Sequence, residues 1–214
     1  VRGLTVAAKC ISISVEYRLA PENPFPAAVS DCLSALQWIV ANAEQLGGDP
    51  MRVAVGGDSA GGNLAAVIAL ATRDAGPDLT FQLLIYPVVD SDLNRPSYKT
   101  YANAPMLPGH RMAYFWDQYV PDLEERGNWQ CAPLRASSHS GLPPALVIAA
   151  GIDPLVDEGK SYAHQLNSSG VPVEYRLFSR MTHAFFQAPG LLSDAREASN
   201  AAGAALQKAF GTGN

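Results

Sequence analysis

The amino-acid sequence predicts an α/β protein with a mostly parallel central sheet and helices on both faces. Apolar stretches rich in β-branched residues alternate with helical patterns along the 214 residues, as in repeated β-α units. Most of these stretches are continuous apolar runs, which is typical of strands buried on both faces. Hydrophobic residues make up 48% of the chain, enough for a sizeable core in one domain, residues 1–214.

The predicted elements follow the order β-α-β-α-β, a long insertion, and then β-α-β-α. Strands are predicted at residues 10–17, 52–56, 81–88, 145–150 and 173–178. Helices are predicted at residues 26–45, 60–74, 158–167 and 194–210. Pro24 and Pro26 mark the start of the first helix, and Gly47 and Gly48 mark its end.

The insertion, residues 89–144, is dense in proline and aromatic residues and contains one clear helical pattern, around residues 110–119. A segment this long between two sheet strands is more typical of a functional loop than of a plain connector. We therefore expect the insertion to form a lid or a pocket wall.

Composition argues against several classes of partner. The chain has 15 Lys and Arg against 20 Asp and Glu, a formal charge of -5, and no basic cluster that would follow a phosphate backbone, so we expect no nucleic-acid binding. Its apolar runs fall well short of the roughly 20 residues of a membrane-spanning helix, so we expect no span.

The cysteines indicate the redox compartment of the protein, and the N-terminal residues indicate whether the sequence is a fragment. Cys10, Cys32 and Cys131 are odd in number and far apart, which fits neither a disulfide framework nor a metal site and favours a reducing cytosol. The chain opens on Val1 rather than Met, with no signal-peptide pattern. We interpret it as a fragment.

A G-x-S-x-G motif runs from Gly57 to Gly61, with Ser59 at its centre. The motif is informative where a strand enters it and a helix leaves it, because the reaction needs a serine held on a sharp turn above the sheet. The predicted strand at 52–56 and the helix that follows supply that context. Ser59 is therefore the candidate nucleophile of a hydrolase.

A serine nucleophile needs a histidine base, oriented by a carboxylate. His110 and His139 lie in the insertion, and His164 lies inside a predicted helix. His183 alone follows the last predicted strand, where a loop can bring it over Ser59. His183 is therefore the candidate base, against the alternative of a loop histidine bonded only to backbone.

Asp153 is the candidate acid because it follows the strand at 145–150, at the carboxyl end where active sites of open α/β sheets collect. A helix N-cap or a turn before Pro154 is the alternative interpretation. Asp157 and Glu158 are rival acids, although both are better placed to support the first turn of the next helix.

These residues resemble the hormone-sensitive-lipase-like branch of the α/β-hydrolases, which includes many bacterial carboxylesterases of family IV. The resemblance extends in family order from near residue 10 to near residue 186. The matching segments are Tyr17-Arg18-Leu19-Ala20-Pro21-Glu22, Phe25-Pro26-Ala27-Ala28, Gly57-Asp58-Ser59-Ala60-Gly61-Gly62, Tyr86-Pro87, Asp153-Pro154-Leu155-Val156-Asp157-Glu158 and His183-Ala184-Phe185.

The resemblance implies an α/β-hydrolase fold and a serine carboxylesterase that hydrolyses short- to medium-chain acyl esters through an acyl-enzyme. It implies Ser59 as nucleophile, His183 as base and then acid, and Asp153 as the residue that fixes the tautomer of His183. It also implies a small-molecule ester substrate and neither cofactor nor metal. The family often pairs through its last strand and helix, which leaves a homodimer open.

One departure from the family concerns the oxyanion hole. The family places a His-Gly-Gly-Gly segment upstream to supply backbone N–H donors, and this chain contains none, which leaves the N–H of Ala60. Loss of one such donor costs on the order of 10² to 10³ in rate. On that comparison the N-terminal strands and cap are missing, and we expect the isolated fragment to be poorly soluble or nearly inactive.

Two other functions fit the same scaffold. A peptidase is one, since the triad alone does not choose between ester and amide. A receptor that binds ligand without turnover is the other, although the presence of His183 argues for catalysis.

Asp58 lies beside the nucleophile, and we interpret it as structural and paired with Arg18.

Overall fold

The computed structural model describes residues 1–213 and contains a four-stranded parallel sheet in the order β1-β2-β3-β4. The strands are β1 (Val53–Asp58), β2 (Leu79–Ile85), β3 (Ala145–Ile152) and β4 (Val173–Thr182). The helices are α1 (Arg2–Ala8), α2 (Ala27–Asn42), α3 (Ala60–Thr72), α4 (Pro96–Thr100), α5 (Gly109–Tyr119), α6 (Val156–Ser168) and α7 (Ser193–Phe210). The prediction of an α/β fold with a parallel sheet is confirmed.

Helices α1 and α7 cover one face of the sheet. Alternate residues of β2 and β3, such as Ile85 and Ile148, point into this layer and pack against Ala198 and Ala202 of α7. The two helices approach closely, because a Cβ on Gly203 would lie 2.5 Å from the Cβ of Ala7. Small residues on α7 therefore let both helices lie near the sheet.

Helices α3 and α6 cover the opposite face, and α2 packs outside α3. The intervening residues of the strands, Leu84 and Val147, point this way and pack against Ala66 of α3 and Tyr162 of α6. All four of these side chains are buried. Because β2 and β3 are buried on both faces, they appear in the sequence as continuous apolar runs.

The strand predicted at residues 10–17 is wrong. Within residues 1–213 this segment has no regular secondary structure. A groove of about 850 Å³ separates it from β1, with Ile11, Ile13 and Val15 on one side and Val53 and Val55 on the other. Hydrogen-bonded strands lie about 4.8 Å apart, so the two backbones cannot pair across this groove.

The insertion between β2 and β3 contains α4, α5 and two short 3₁₀ helices, Glu125–Gly127 and Pro133–Arg135. The helix predicted around residues 110–119 is confirmed as α5. Met112 and Trp116 of α5 are buried against Tyr98 of α4 and Leu155 at the start of α6. The insertion is therefore fixed to the sheet beside the carboxyl ends of the strands.

None of the helices in the described part of the chain is both long enough and apolar enough to cross a membrane.

Candidate active site

Ser59 occupies the single residue between the end of β1 and the start of α3. Its backbone has φ 57° and ψ −117°, outside the region that L-residues ordinarily adopt. Its N–H donates to the carbonyl oxygen of Ile85 at 2.9 Å, and its own carbonyl accepts from the N–H of Asn63 at 3.0 Å. The turn is therefore bonded both to β2 and to α3.

Two glycines make room for this turn. A Cβ on Gly57 would lie 2.3 Å from the carbonyl carbon and oxygen of Gly61, and a Cβ on Gly62 would lie 2.9 Å from the Cβ of Pro87. At Gly61 itself, an added Cβ would meet none of the described atoms within 4 Å. The turn thus needs glycine at positions 57 and 62, whereas position 61 has space for a side chain.

The three residues predicted as nucleophile, base and acid lie in one chain of hydrogen-bonding contacts. The Oγ of Ser59 is 2.9 Å from the Nε2 of His183, and the Nδ1 of His183 is 2.7 Å from the Oδ2 of Asp153. Asp153 is 0% exposed and His183 is 8% exposed. The structure therefore brings together residues separated by up to 124 positions in sequence.

The sheet register explains the contact between His183 and Asp153. Ile152, the last residue of β3, pairs with Thr182, the last residue of β4. Asp153 directly follows Ile152 in sequence, and His183 directly follows Thr182. The register shifts between Ala150 and Ile152, and this irregularity precedes the paired ends. The two side chains thus emerge beside one another at the carboxyl edge of the sheet.

Neighbouring groups orient the carboxylate and the imidazole. The backbone N–H of Leu155 donates to the Oδ1 of Asp153 at 2.9 Å, which leaves Oδ2 for His183. The ring of Tyr86 packs against the imidazole of His183, with centroids 4.6 Å apart and a 53° angle between the planes. Asp153 is therefore oriented toward His183, and His183 is oriented toward Ser59.

The rival histidines do not contact the site. His110 and His164 are exposed on helices. His139 is buried, its Nε2 lies 3.0 Å from the carbonyl oxygen of Pro133, and burial lowers its pKa. His139 is therefore a neutral core histidine.

The rival acids contact the insertion instead of His183. The Oδ2 of Asp157 accepts from the N–H of Ser97 at 2.8 Å. The Oε1 of Glu158 accepts from the N–H of Val89 at 2.8 Å, and its Oε2 accepts from the hydroxyl of Tyr98 at 3.0 Å. Burial raises the pKa of Glu158 to about 8.

Ala60, the predicted oxyanion donor, is exposed and is the first residue of α3. A residue at this position has no intrahelical acceptor for its N–H, and the helix dipole is positive there. The N–H of Ala60 lies next in sequence to the hydroxyl of Ser59. A developing negative charge at this end of α3 would be stabilised.

The predicted pairing of Asp58 with Arg18 is wrong. The Oδ2 of Asp58 accepts from the Nε2 of Gln187 at 2.9 Å. Arg18 instead forms an ion pair with Asp31 of α2 at 2.8 Å. Asp58 thus contacts the turn that follows His183, through Gln187, and is separate from the Asp31–Arg18 pair.

A cavity of about 400 Å³ opens beside Ser59, beneath the insertion. Its wall is mainly apolar; α5 and Leu107 form one part of it, and residues 17–20 and the start of α3 form much of the rest. The lining includes Leu107, Met112, Phe115, Trp116 and Tyr119. Among residues 1–213, no group of three or more His, Cys, Asp and Glu side chains is arranged to hold a metal ion.

Comparison with known proteins agrees with this geometry. A family model described as alpha/beta hydrolase fold matches residues 1–187. The chain belongs to the α/β-hydrolase family. The resemblance to its hormone-sensitive-lipase-like branch is thereby confirmed.

Two esterases from Mycobacterium tuberculosis are among the relatives. Carboxylesterase NlhH is 43% identical over 213 residues, which cover 98% of this chain and 67% of NlhH. Esterase LipI is 42% identical over 201 residues, which cover 93% of this chain and 63% of LipI. The chain thus spans about two thirds of the length of these relatives.

A thermostable esterase from Pseudomonas putida has a closely similar structure. Its TM-score is 0.94 at 38% identity, and the match covers 98% of this chain and 67% of that one. The relatives and structural neighbours named here are all esterases, and they support a serine esterase function.

The close approach of Gly57 to Gly61 gives a test of the turn. We expect Gly57→Ala to lower the free energy of unfolding in urea by about 1–3 kcal/mol or more, because the new methyl group overlaps backbone that cannot move freely. Gly61→Ala is the matched control and should leave the free energy unchanged or raise it by up to about 1 kcal/mol. Equal effects of the two substitutions would contradict this account.

The raised pKa of Glu158 predicts a pH dependence of stability. The folded protein holds a proton at Glu158 up to about pH 8, whereas the unfolded chain releases it near pH 4.5, so the free energy of unfolding falls as pH rises through this window. The slope from one proton is at most about 1.4 kcal/mol per pH unit. Glu158→Gln removes the titration.

The measurement is urea unfolding of both proteins between pH 5 and pH 8. Other groups titrate alike in the two proteins, so the stability of the unmutated protein relative to Glu158→Gln should decline as pH rises. A constant difference across this range would show that Glu158 does not titrate there.

Proposed function

We propose that Ser59, His183 and Asp153 are the catalytic triad of a serine carboxylesterase that acts through an acyl-enzyme. The observation that carries the proposal is the continuous contact from Ser59 Oγ through both imidazole nitrogens to Asp153, at 2.9 Å and 2.7 Å. A serine hydroxyl is a weak nucleophile until an adjacent base takes its proton. The esterase relatives support the same reaction class.

In the acylation step, Ser59 Oγ forms a bond to the ester carbonyl carbon while His183 Nε2 takes the hydroxyl proton. The carbonyl electron pair moves to oxygen, and the N–H of Ala60 at the start of α3 donates to that oxyanion. His183 Nε2 then gives its proton to the alkoxide as the carbon–oxygen bond to the alcohol breaks. Alcohol leaves, and the acyl group stays on Ser59.

In the deacylation step, water loses a proton to His183 Nε2 and attacks the acyl carbon. The proton returns to Ser59 Oγ as the acid is released, so the protein ends in its starting state. The Oδ2 of Asp153 accepts from the Nδ1 of His183 throughout and stabilises the imidazolium form of that ring. The N–H of Leu155 holds Asp153 in place during both steps.

The cavity beside Ser59 supports an acyl group of short to medium length. Ligand pockets range from about 300 to 1,000 Å³, and this cavity of about 400 Å³ is near the lower end. Buried Met112 and Trp116 close it at α5. An apolar acyl chain would gain free energy by leaving water here, until its length exceeds the space.

Location and assembly are further parts of the proposal. A cytosolic location is supported by three cysteines that are free, since disulfides form in oxidising compartments. Burial raises the pKa of Cys32 and of Cys131 to about 11, which disfavours reactive thiolate at both. A homodimer through β4 and α7 remains a prediction; Leu177 of β4 is 49% exposed and gives that edge an apolar contact.

The proposal predicts that the protein hydrolyses p-nitrophenyl butyrate at a low rate, because the N–H of Ala60 is the one oxyanion donor predicted for this chain. Hydrolysis of p-nitrophenyl palmitate, whose chain exceeds the cavity, should be much slower still. Ser59→Ala should reduce the rate with butyrate by at least about 10³-fold, since the nucleophile is lost. Ser34→Ala, on the exposed face of α2, is the matched control and should keep the full rate. Release of p-nitrophenol is followed by absorbance.

Three outcomes decide between the candidate functions. Turnover by Ser59→Ala at the unmutated rate would contradict the assignment of the nucleophile. Binding of the ester without release of p-nitrophenol would favour the receptor. Faster cleavage of a peptide p-nitroanilide than of the ester would favour the peptidase.

A further inference from the structure

Glu158 has a carboxyl group that is fully buried and that the proposed mechanism does not use. It lies in the first turn of α6, five residues after Asp153. A buried carboxyl group is costly unless hydrogen bonds compensate for its lost hydration. Glu158 has three such donors: the N–H groups of Val89 and Asp90, at 2.8 Å and 3.4 Å, and the hydroxyl of Tyr98, at 3.0 Å.

The backbone held by Glu158 lies directly on the nucleophile turn. Val88 precedes the two residues whose N–H groups Glu158 accepts, and the N–H of Val88 donates to the carbonyl oxygen of Ser59 at 3.3 Å. The side-chain amide of Asn63 in α3 donates to the carbonyl oxygen of Val88 at 2.8 Å. A displacement of this segment would therefore be transmitted to the backbone of Ser59.

The same segment is fastened to the loop that carries Asp153. The hydroxyl of Ser97 donates to the carbonyl oxygen of Pro154 at 2.6 Å, and the N–H of Ser97 donates to Asp157 at 2.8 Å. Tyr98, the next residue, donates to Glu158. The segment from Val88 to Tyr98 thus bonds to the backbone of Ser59 at one end and to Pro154, the residue after Asp153, at the other. Glu158 accepts hydrogen bonds from residues next to both of these contacts.

We propose that Glu158 is a positioning residue, which fixes the distance between the nucleophile turn and the acid loop. Its two oxygens hold the start of the insertion and α4 against α6. His183 can then contact Ser59 and Asp153 at the same time. The inference rests on the proposed function, because it concerns the geometry of that same site.

Two substitutions of similar volume separate hydrogen bonding from packing. Glu158→Gln keeps one carbonyl oxygen for the N–H groups of Val89 and Asp90, and its amide can donate to the hydroxyl oxygen of Tyr98. Glu158→Leu keeps the core filled but leaves those N–H groups without an acceptor. A role in packing alone would be satisfied by either residue.

The test compares kcat and KM for p-nitrophenyl butyrate. We expect Glu158→Gln to stay within about threefold of the unmutated kcat. Glu158→Leu should lower kcat at least tenfold with KM within about twofold, because the cavity is untouched.

A second readout needs no turnover. The Nδ1 proton shared by His183 and Asp153 should give a strongly downfield proton NMR signal in the unmutated protein and in Glu158→Gln, and this signal should be lost in Glu158→Leu. If the unmutated protein shows the signal but hydrolyses no ester, the proposed function fails while the positioning role is still measured.

An unchanged kcat together with an unchanged NMR signal in folded Glu158→Leu would overturn the proposal. If Glu158→Leu does not fold, Tyr98→Phe takes its place, because it removes one of the three hydrogen bonds. We then expect kcat to fall about threefold and the downfield signal to broaden or shift. No change in either property would overturn the proposal equally.

Discussion

The backbone turn at Ser59 is the constraint to which the rest of the site is fitted. A non-glycine residue in such a conformation costs about 1–3 kcal/mol and persists only where its surroundings hold it. Here Gly57 lets the chain fold back on Gly61, the carbonyl of Ile85 accepts the N–H of Ser59, and Asn63 donates to its carbonyl. Chain reversal within one residue puts the hydroxyl at the end of β1 and a helix N-terminus beside it. Every other group in the site is brought to this fixed point.

Parallel strand direction brings the other two groups there. All four strands end at one edge of the sheet, so the residues that follow them share the same space. Asp153 and His183 directly follow the paired residues Ile152 and Thr182, which makes their contact a consequence of register. The insertion adds part of the wall of an apolar cavity, and its contacts with Glu158 of α6 connect the turn to the acid loop. The hydrogen bonds that hold the scaffold together therefore also position the residues of the site.

Sequence reasoning succeeded where a residue type follows the end of a strand. Ser59, Asp153 and His183 were singled out in this way, and the structure brings them into contact, while their catalytic roles stay a prediction. The helical pattern at residues 110–119 predicted α5. The strand at 10–17 was wrong because an apolar pattern reports a tendency to be buried and does not identify a pairing partner. The Asp58–Arg18 pair was wrong because charge alone does not locate a partner, and Asp31 is the nearer one. Glu158 was considered only as a rival acid, since its contacts come from residues about 60 to 69 positions away.

The most direct test of the central claim is the site and rate of covalent labelling by a fluorophosphonate, followed by intact mass and peptide mapping. The reagent bonds to a serine only when a base has activated the hydroxyl. This account predicts one adduct, on the peptide that contains Ser59, and a rate at least about 10³-fold lower in His183→Ala. An adduct on another serine, or equal labelling of Ser59 in His183→Ala, would contradict it.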